Sequence, residues 1–205
     1  MKQQIVIIGG GETFDDYSKY VHFLQYKMKF NLEARGKNWK ETLQKKLGAD
    51  YEVIHVRMPS PLNAKYLEWE IYFRKVIPHL RDNVVFVGHS LGALFLVKFM
   101  SEHTLKTKVA GLMLVSAPYN ISDDSGFADF VLNEAKFFSF MPETEIQFYH
   151  GKDDRIVKKS NMEDYHRLIP NSKCRLLKEG GHFIFQPTLP FLVPDIKRVC
   201  KNMIQ

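Results

Sequence analysis

The stretch VVFVGHSLGALFLVKF, Val84 to Phe99, decides the fold. Four apolar, largely β-branched residues read as a buried strand. The run Leu91 to Phe99 reads as a very apolar helix. Between them lies Gly88-His89-Ser90-Leu91-Gly92, a G-x-S-x-G turn. A sharp strand-to-helix turn strains the central residue and pushes its side chain out at the sheet edge. Small neighbours are needed because strand and helix approach closely there. The bare pentapeptide occurs by chance in roughly one chain in fifteen of this length. Its place between an apolar strand and an apolar helix is what gives it meaning.

The rest of the chain alternates in the same way. Strands are expected at Gln4–Ile8, Tyr51–Val56, Val84–Val87, Val109–Val115, Glu145–Tyr149 and Lys173–Leu177. Helices are expected at Asn38–Leu47, Asn63–Leu80 (with Asn63 as N-cap), Leu91–His103, Ser160–Ile169 and Leu189–Met203. Strands separated by helices predict a parallel α/β sheet covered on both faces, within one domain spanning 1–205. Right-handed crossovers bring the C-terminal strand ends to one edge, where ligands bind.

Composition narrows the function classes. The chain of 205 residues is 45% hydrophobic, which argues against disorder. Its net charge of +6 comes from lysines scattered among acids, with no basic stripe or nucleic-acid motif. The N-terminal apolar run is short and ends in glycines, so it reads as a strand and not as a targeting segment. No stretch has the length of a membrane span. Cys174 and Cys200 lack metal-ligand spacing and read as reduced thiols, which suits a cytoplasmic protein. No metal or cofactor is expected.

A serine hydroxyl needs a base, and the base needs an orienting carboxylate. Two segments supply these just past strand ends, YHGKDDRIV (149–157) and EGGHF (179–183). The order Ser, Asp, His is that of a nucleophile elbow. Asp153 competes with Asp154 for the acid, and Asp123 or Asp124 is a further candidate. His182 is the expected base. His89 packs beside the serine, and His150 supports the acid loop. Gly9 and Gly11 begin a dinucleotide fingerprint, but Phe14 stands where its third glycine belongs.

With these motifs the chain resembles the α/β-hydrolases. It is most similar to the small, nearly capless group that includes the retinoblastoma-binding protein 9 and YdeN-like serine hydrolases. The resemblance implies a three-layer α/β-hydrolase core with a mostly parallel sheet of about six strands and a minimal cap. VGHSLGA resembles the family's elbow and makes Ser90 the nucleophile. HGKDDRIV resembles its acid loop, which puts the acid at Asp154. GGHF resembles its histidine loop, which gives His182. The oxyanion hole is expected from the backbone N–H groups of Leu91 and of Gly11 or Glu12, with Gly11 preferred. The family often has His-Gly where this chain has Gly9-Gly10-Gly11. The implied reaction is hydrolysis of a small-molecule carboxylic ester. A silent binding protein on the same fold, or an amidase or peptidase, is the rival.

Substrate selection is expected from the loops. The stretch from Glu12 to Phe30 reads as a long aromatic loop. The stretch from Ala117 to Pro142, with Phe127, Phe130, Phe137, Phe138, Phe140 and Met141, reads either as a small lid or as core. Glu12, Met58, His89, Phe127 and Phe130 are the candidate pocket residues.

Overall fold

The structure is a computed structural model describing residues 1–28, 38–121, 126–139 and 143–202, with side chains for all of these except 137–139. Six parallel strands form one sheet in the order β2-β1-β3-β4-β5-β6. They are β1 (Gln3–Ile8), β2 (Tyr51–Val56), β3 (Val84–His89), β4 (Val109–Val115), β5 (Glu145–Gly151) and β6 (Lys173–Leu177). The α-helices are α1 (Tyr17–Tyr26), α2 (Trp39–Leu47), α3 (Tyr66–Val76), α4 (Leu91–Glu102), α5 (Ser160–Leu168) and α6 (Leu192–Asn202). Every expected strand is present, and β3 and β4 are buried along their whole lengths.

The side chains of β1, β3 and β4 alternate between two cores. Val6, Ile8, Phe86, Leu112 and Leu114 pack with α3, α4 and α5. Ile5, Ile7, Val85, Val87, Met113 and Val115 pack with α2 and α6 on the other face. The first core is aromatic. Phe73 meets Phe95 and Phe99 edge-on at 5.4 and 5.0 Å, and Trp69 meets Phe95 at 5.5 Å. These geometries add to plain area burial.

Two expectations need correction. Residues 17–26, read as loop, form α1, entered at Asp16, whose carboxylate accepts from the Ser18 N–H. Tyr17, Tyr20, Val21 and Leu24 stand at helical spacing, a signal passed over in the loop reading, although no residue of α1 is buried. Asn63 does not cap α3. The helix begins at Tyr66, and Asp129, from across the fold, accepts its first N–H at 2.8 Å. Residues 60–64 are committed elsewhere, because the Ala64 N–H bonds the Glu12 carbonyl at 2.8 Å.

For the segment after β4, left open between lid and core, the described part falls on the core side at Phe130. Phe130 is fully buried between Tyr66 and Trp69, at 5.6 and 5.4 Å. Asn120 donates to the Phe130 carbonyl, and the Leu132 N–H returns a bond to the Asn120 carbonyl. Lys98 reaches from α4 to the Val131 carbonyl at 2.8 Å. Phe130 and Leu132 are therefore core, with Phe127 partly buried against it, while Gly126 and Asp129 are exposed. The side chains of Phe137, Phe138, Phe140 and Met141 lie outside the described residues.

Candidate active site

Ser90 sits between the last residue of β3 and the first of α4, with φ +53°. A non-glycine residue holds this conformation only under constraint, at a cost of about 1–3 kcal/mol. The constraint is visible. The Ser90 N–H bonds the Val115 carbonyl at 2.9 Å. A Cβ on Gly88 would lie 2.5 Å from the Ala93 Cα, and one on Gly92 would lie 2.3 Å from the Gly9 carbonyl oxygen. Both glycines of the motif are therefore steric requirements.

The next two groups come from neighbouring strand ends. Ser90 Oγ lies 2.8 Å from His182 Nε2, and His182 Nδ1 lies 2.8 Å from Asp154 Oδ2. With Nδ1–H donating to the carboxylate, Nε2 is the free acceptor for the serine proton. Asp154 is the turn residue after β5. Its Oδ1 accepts from the N–H groups of Ile156 and Val157 at 2.9 and 3.0 Å. Burial alone would raise this carboxyl. The bonds from His182, Val157 and Ile156 outweigh it and hold Asp154 well below the usual carboxylate range.

Asp153 points elsewhere. It accepts from the Gly181 N–H at 2.8 Å and, more weakly, from the Gly180 N–H at 3.4 Å, so it holds the backbone of the histidine loop. That loop needs its glycines, since Gly180 and Gly181 have φ of +134° and +53°. The acid and histidine loops touch: a Cβ on Gly151 would lie 2.4 Å from the Gly181 oxygen. Asp123 and Asp124 lie outside the described residues.

Sequence reasoning missed several supports. Ser116, fully buried after β4, donates to Asp154 Oδ2 at 2.8 Å. Helix α2 braces the histidine loop: Trp39 Nε1–H bonds the Phe183 carbonyl at 3.0 Å, and the Trp39 N–H bonds the Gln186 carbonyl at 2.8 Å. His89 Nε2 bonds the His182 carbonyl at 2.8 Å, while its Nδ1 lies 3.4 Å from Lys40 Nζ. Burial first, then the charges of Lys40 and His182, push His89 well below its ordinary pKa, so it is neutral. Its Nε2–H therefore donates to the carbonyl. A spacing pattern carries no sign of bonds that join residues so far apart. His150, expected to support the acid loop, does bond the Val157 carbonyl at 2.9 Å.

The loop after β1 closes the other side. A Cβ on Gly10 would lie 3.0 Å from Ser90 Cβ, so this backbone runs beside the serine. The Glu12 N–H is spent on the Pro61 carbonyl at 2.8 Å, which removes it as an oxyanion donor. Leu91 opens α4, where an N–H has no acceptor within its helix. Glu12 is exposed at this mouth. Partial burial raises its carboxyl, and the charge of His182 opposes the rise.

The remaining pocket candidates divide. His89 and Met58 are buried, and Phe127 packs, partly buried, against the core. Phe130 is wholly buried and presents no surface to a substrate. Among the described residues, no group of three or more His, Cys, Asp or Glu side chains could hold a metal ion.

The comparisons with known proteins agree with this frame. YdeN of Bacillus subtilis (strain 168) is 28% identical over 159 residues, covering 72% of this chain and 78% of that protein. The crystal structure of the B. subtilis ydeN gene product matches with a TM-score of 0.74 at 21% identity, covering 98% of this chain and all of that one. A YdeN-like protein from Pectobacterium atrosepticum matches at 0.68 and 14% identity, covering 98% of this chain and 92% of its own. These structures share the three-layer α/β-hydrolase fold. A protein-family profile described as serine hydrolase matches residues 32–187, more than half of the chain, and the chain belongs to that family.

Proposed function

We propose that this serine hydrolase cleaves carboxylic esters of small molecules, with Ser90 as nucleophile, His182 as general base and acid, and Asp154 as the orienting carboxylate. The observation that carries the reading is the unbroken relay from Ser90 Oγ to His182 to Asp154, with both contacts at 2.8 Å. Ser90 Oγ attacks the acyl carbon while its proton passes to His182 Nε2. The carbonyl electrons move onto oxygen, which the N–H groups of Leu91 and Gly11 receive. Collapse breaks the bond to the alcohol oxygen, which takes the proton from His182. Water then enters by the same route and releases the acid. Asp154 stays ionised throughout and stabilises the imidazolium.

The preference for esters rests on the demands of the leaving group. An alkoxide is easier to expel than an amide nitrogen, and the site offers one proton donor in line with the serine, His182. Purified protein given matched ester and anilide substrates should turn over the ester, and Ser90→Ala should abolish that turnover. Equal or better cleavage of the anilide would assign the site to an amidase. Turnover that survives Ser90→Ala would remove Ser90 as the nucleophile.

A further inference from the structure

Apolar side chains stand exposed beside His182 where burial would be expected. Phe185 is 84% exposed, Ile156 64% and Ile184 40%. They are not scattered. Together with Asp153, Arg155 and His182 they line one cavity of about 250 Å³. Ile156 lies two residues past Asp154, and Ile184 two residues past His182. The same loops that hold the reacting groups thus present the apolar surface. A contiguous apolar surface of this kind on a polar background marks a binding site.

The chemistry says which part of the substrate belongs there. This step rests on the roles given to Ser90 and His182 above. When the tetrahedral adduct collapses, the bond between the acyl carbon and the alcohol oxygen breaks, and that oxygen takes the proton held on His182 Nε2. The alcohol oxygen must therefore stand beside His182. Its substituent extends over the loop that carries His182, while the oxyanion turns the other way, toward Leu91 and Gly11. We propose that Ile156, Ile184 and Phe185 seat the alcohol arm of the ester, and that the protein selects esters of apolar alcohols. Asp153 and Arg155 at the rim carry opposite charges, and Asp153 is already engaged by Gly181. The rim therefore gives no net attraction to an ionic alcohol.

Acetates of methanol, butanol and hexanol test this with the full chain. All three differ only in the alcohol, and kcat/KM spans ester binding and expulsion of that alcohol, so its differences report on the alcohol arm. The wild type should favour hexyl over methyl acetate by more than about tenfold. In an Ile184→Ser, Phe185→Ser double variant that ratio should fall about tenfold. Phe185→Leu should keep most of it. The ratio of methyl hexanoate to methyl acetate should not respond to the double variant. A flat hexyl-to-methyl ratio in the wild type, a ratio unmoved by the double variant, or a response in the acyl series instead would each overturn the proposal. So would a double variant that changes only the oligomeric state, which would make the patch a contact between copies. A wild type modified at Ser90 by a fluorophosphonate but showing any of these results would sink this proposal alone. A wild type that neither reacts at Ser90 nor cleaves any ester would sink the reading of the site with it.

Discussion

Asp153 and Asp154 are adjacent and chemically identical, yet the turn after β5 aims them at different targets. Asp154 meets the imidazole of His182, and Asp153 meets the backbone that carries it. Asp154→Asn should therefore lower kcat by about 10⁴-fold, because an amide cannot hold the productive tautomer. Asp153→Asn keeps a carbonyl oxygen for the Gly181 N–H and should cost no more than about tenfold. Steady-state kinetics on both variants decides the matter, and the reverse ranking would exchange their roles. Lys40 is the other residue with a measurable signature. Burial brings it from 10.5 down to about 8. Between those values the unfolded chain binds a proton that the folded chain does not, so this group makes stability rise with pH across that window. Below pH 8 its full penalty applies. Lys40→Met should therefore be more stable than the wild type at pH 7 by about 1–2 kcal/mol, allowing for screening and the lost contact to His89. The advantage should vanish by pH 10.5, and denaturant melts at both pH values check it. A variant less stable at pH 7 would mean that the contact to His89 outweighs the burial cost. At this scale the meeting of Ser90, His182 and Asp154 was legible because a short motif surrounds each. Ser116, Lys40 and the bond made by His89 were not, since each acts across loops that only the fold brings together.

Helix α2 was legible from the spacing of Trp39, Leu43 and Leu47, all buried. Its task was not legible. It carries Trp39 and Thr42 against the histidine loop, with Thr42 Oγ1 donating to the Pro187 carbonyl at 2.7 Å, and Lys40 against His89. Trp39→Phe keeps most of the apolar bulk but leaves the Phe183 carbonyl without its donor. It should cost about 1–3 kcal/mol of stability and slow the reaction of Ser90 with a small fluorophosphonate. Urea unfolding and stopped labelling measure the two effects. A stable variant with an unchanged labelling rate would show that the loop holds itself. One element was misjudged and another left open. Helix α1 carries Tyr17, Tyr20, Val21 and Leu24 at helical spacing, but its place after a strand end and its aromatic content led to a loop reading, and none of its residues is buried. The aromatic residues around 127–130 could have lined a lid, and only their contacts with Tyr66 and Trp69 place Phe130 in the core.

For the whole molecule, alternation of apolar strands with helices was enough to predict the parallel sheet and the edge where Ser90, His182 and Asp154 meet. The order β2-β1-β3-β4-β5-β6 could not be read in that way, because it depends on the handedness and docking of each crossover. That order places β1 beside β3, so the glycine loop lies next to Ser90, and sets β4 and β5 on the far side of β3 to deliver Ser116 and Asp154. No described helix is long and apolar enough to cross a membrane. The central claim is that this edge activates one serine. Intact-mass analysis after treatment with a fluorophosphonate tests it most directly. Wild-type protein should gain the mass of a single phosphonyl group, mapped by peptide sequencing to Ser90, while Ser90→Ala should gain none. Equal labelling of wild type and Ser90→Ala, or a wild type that stays unmodified while folded, would contradict it.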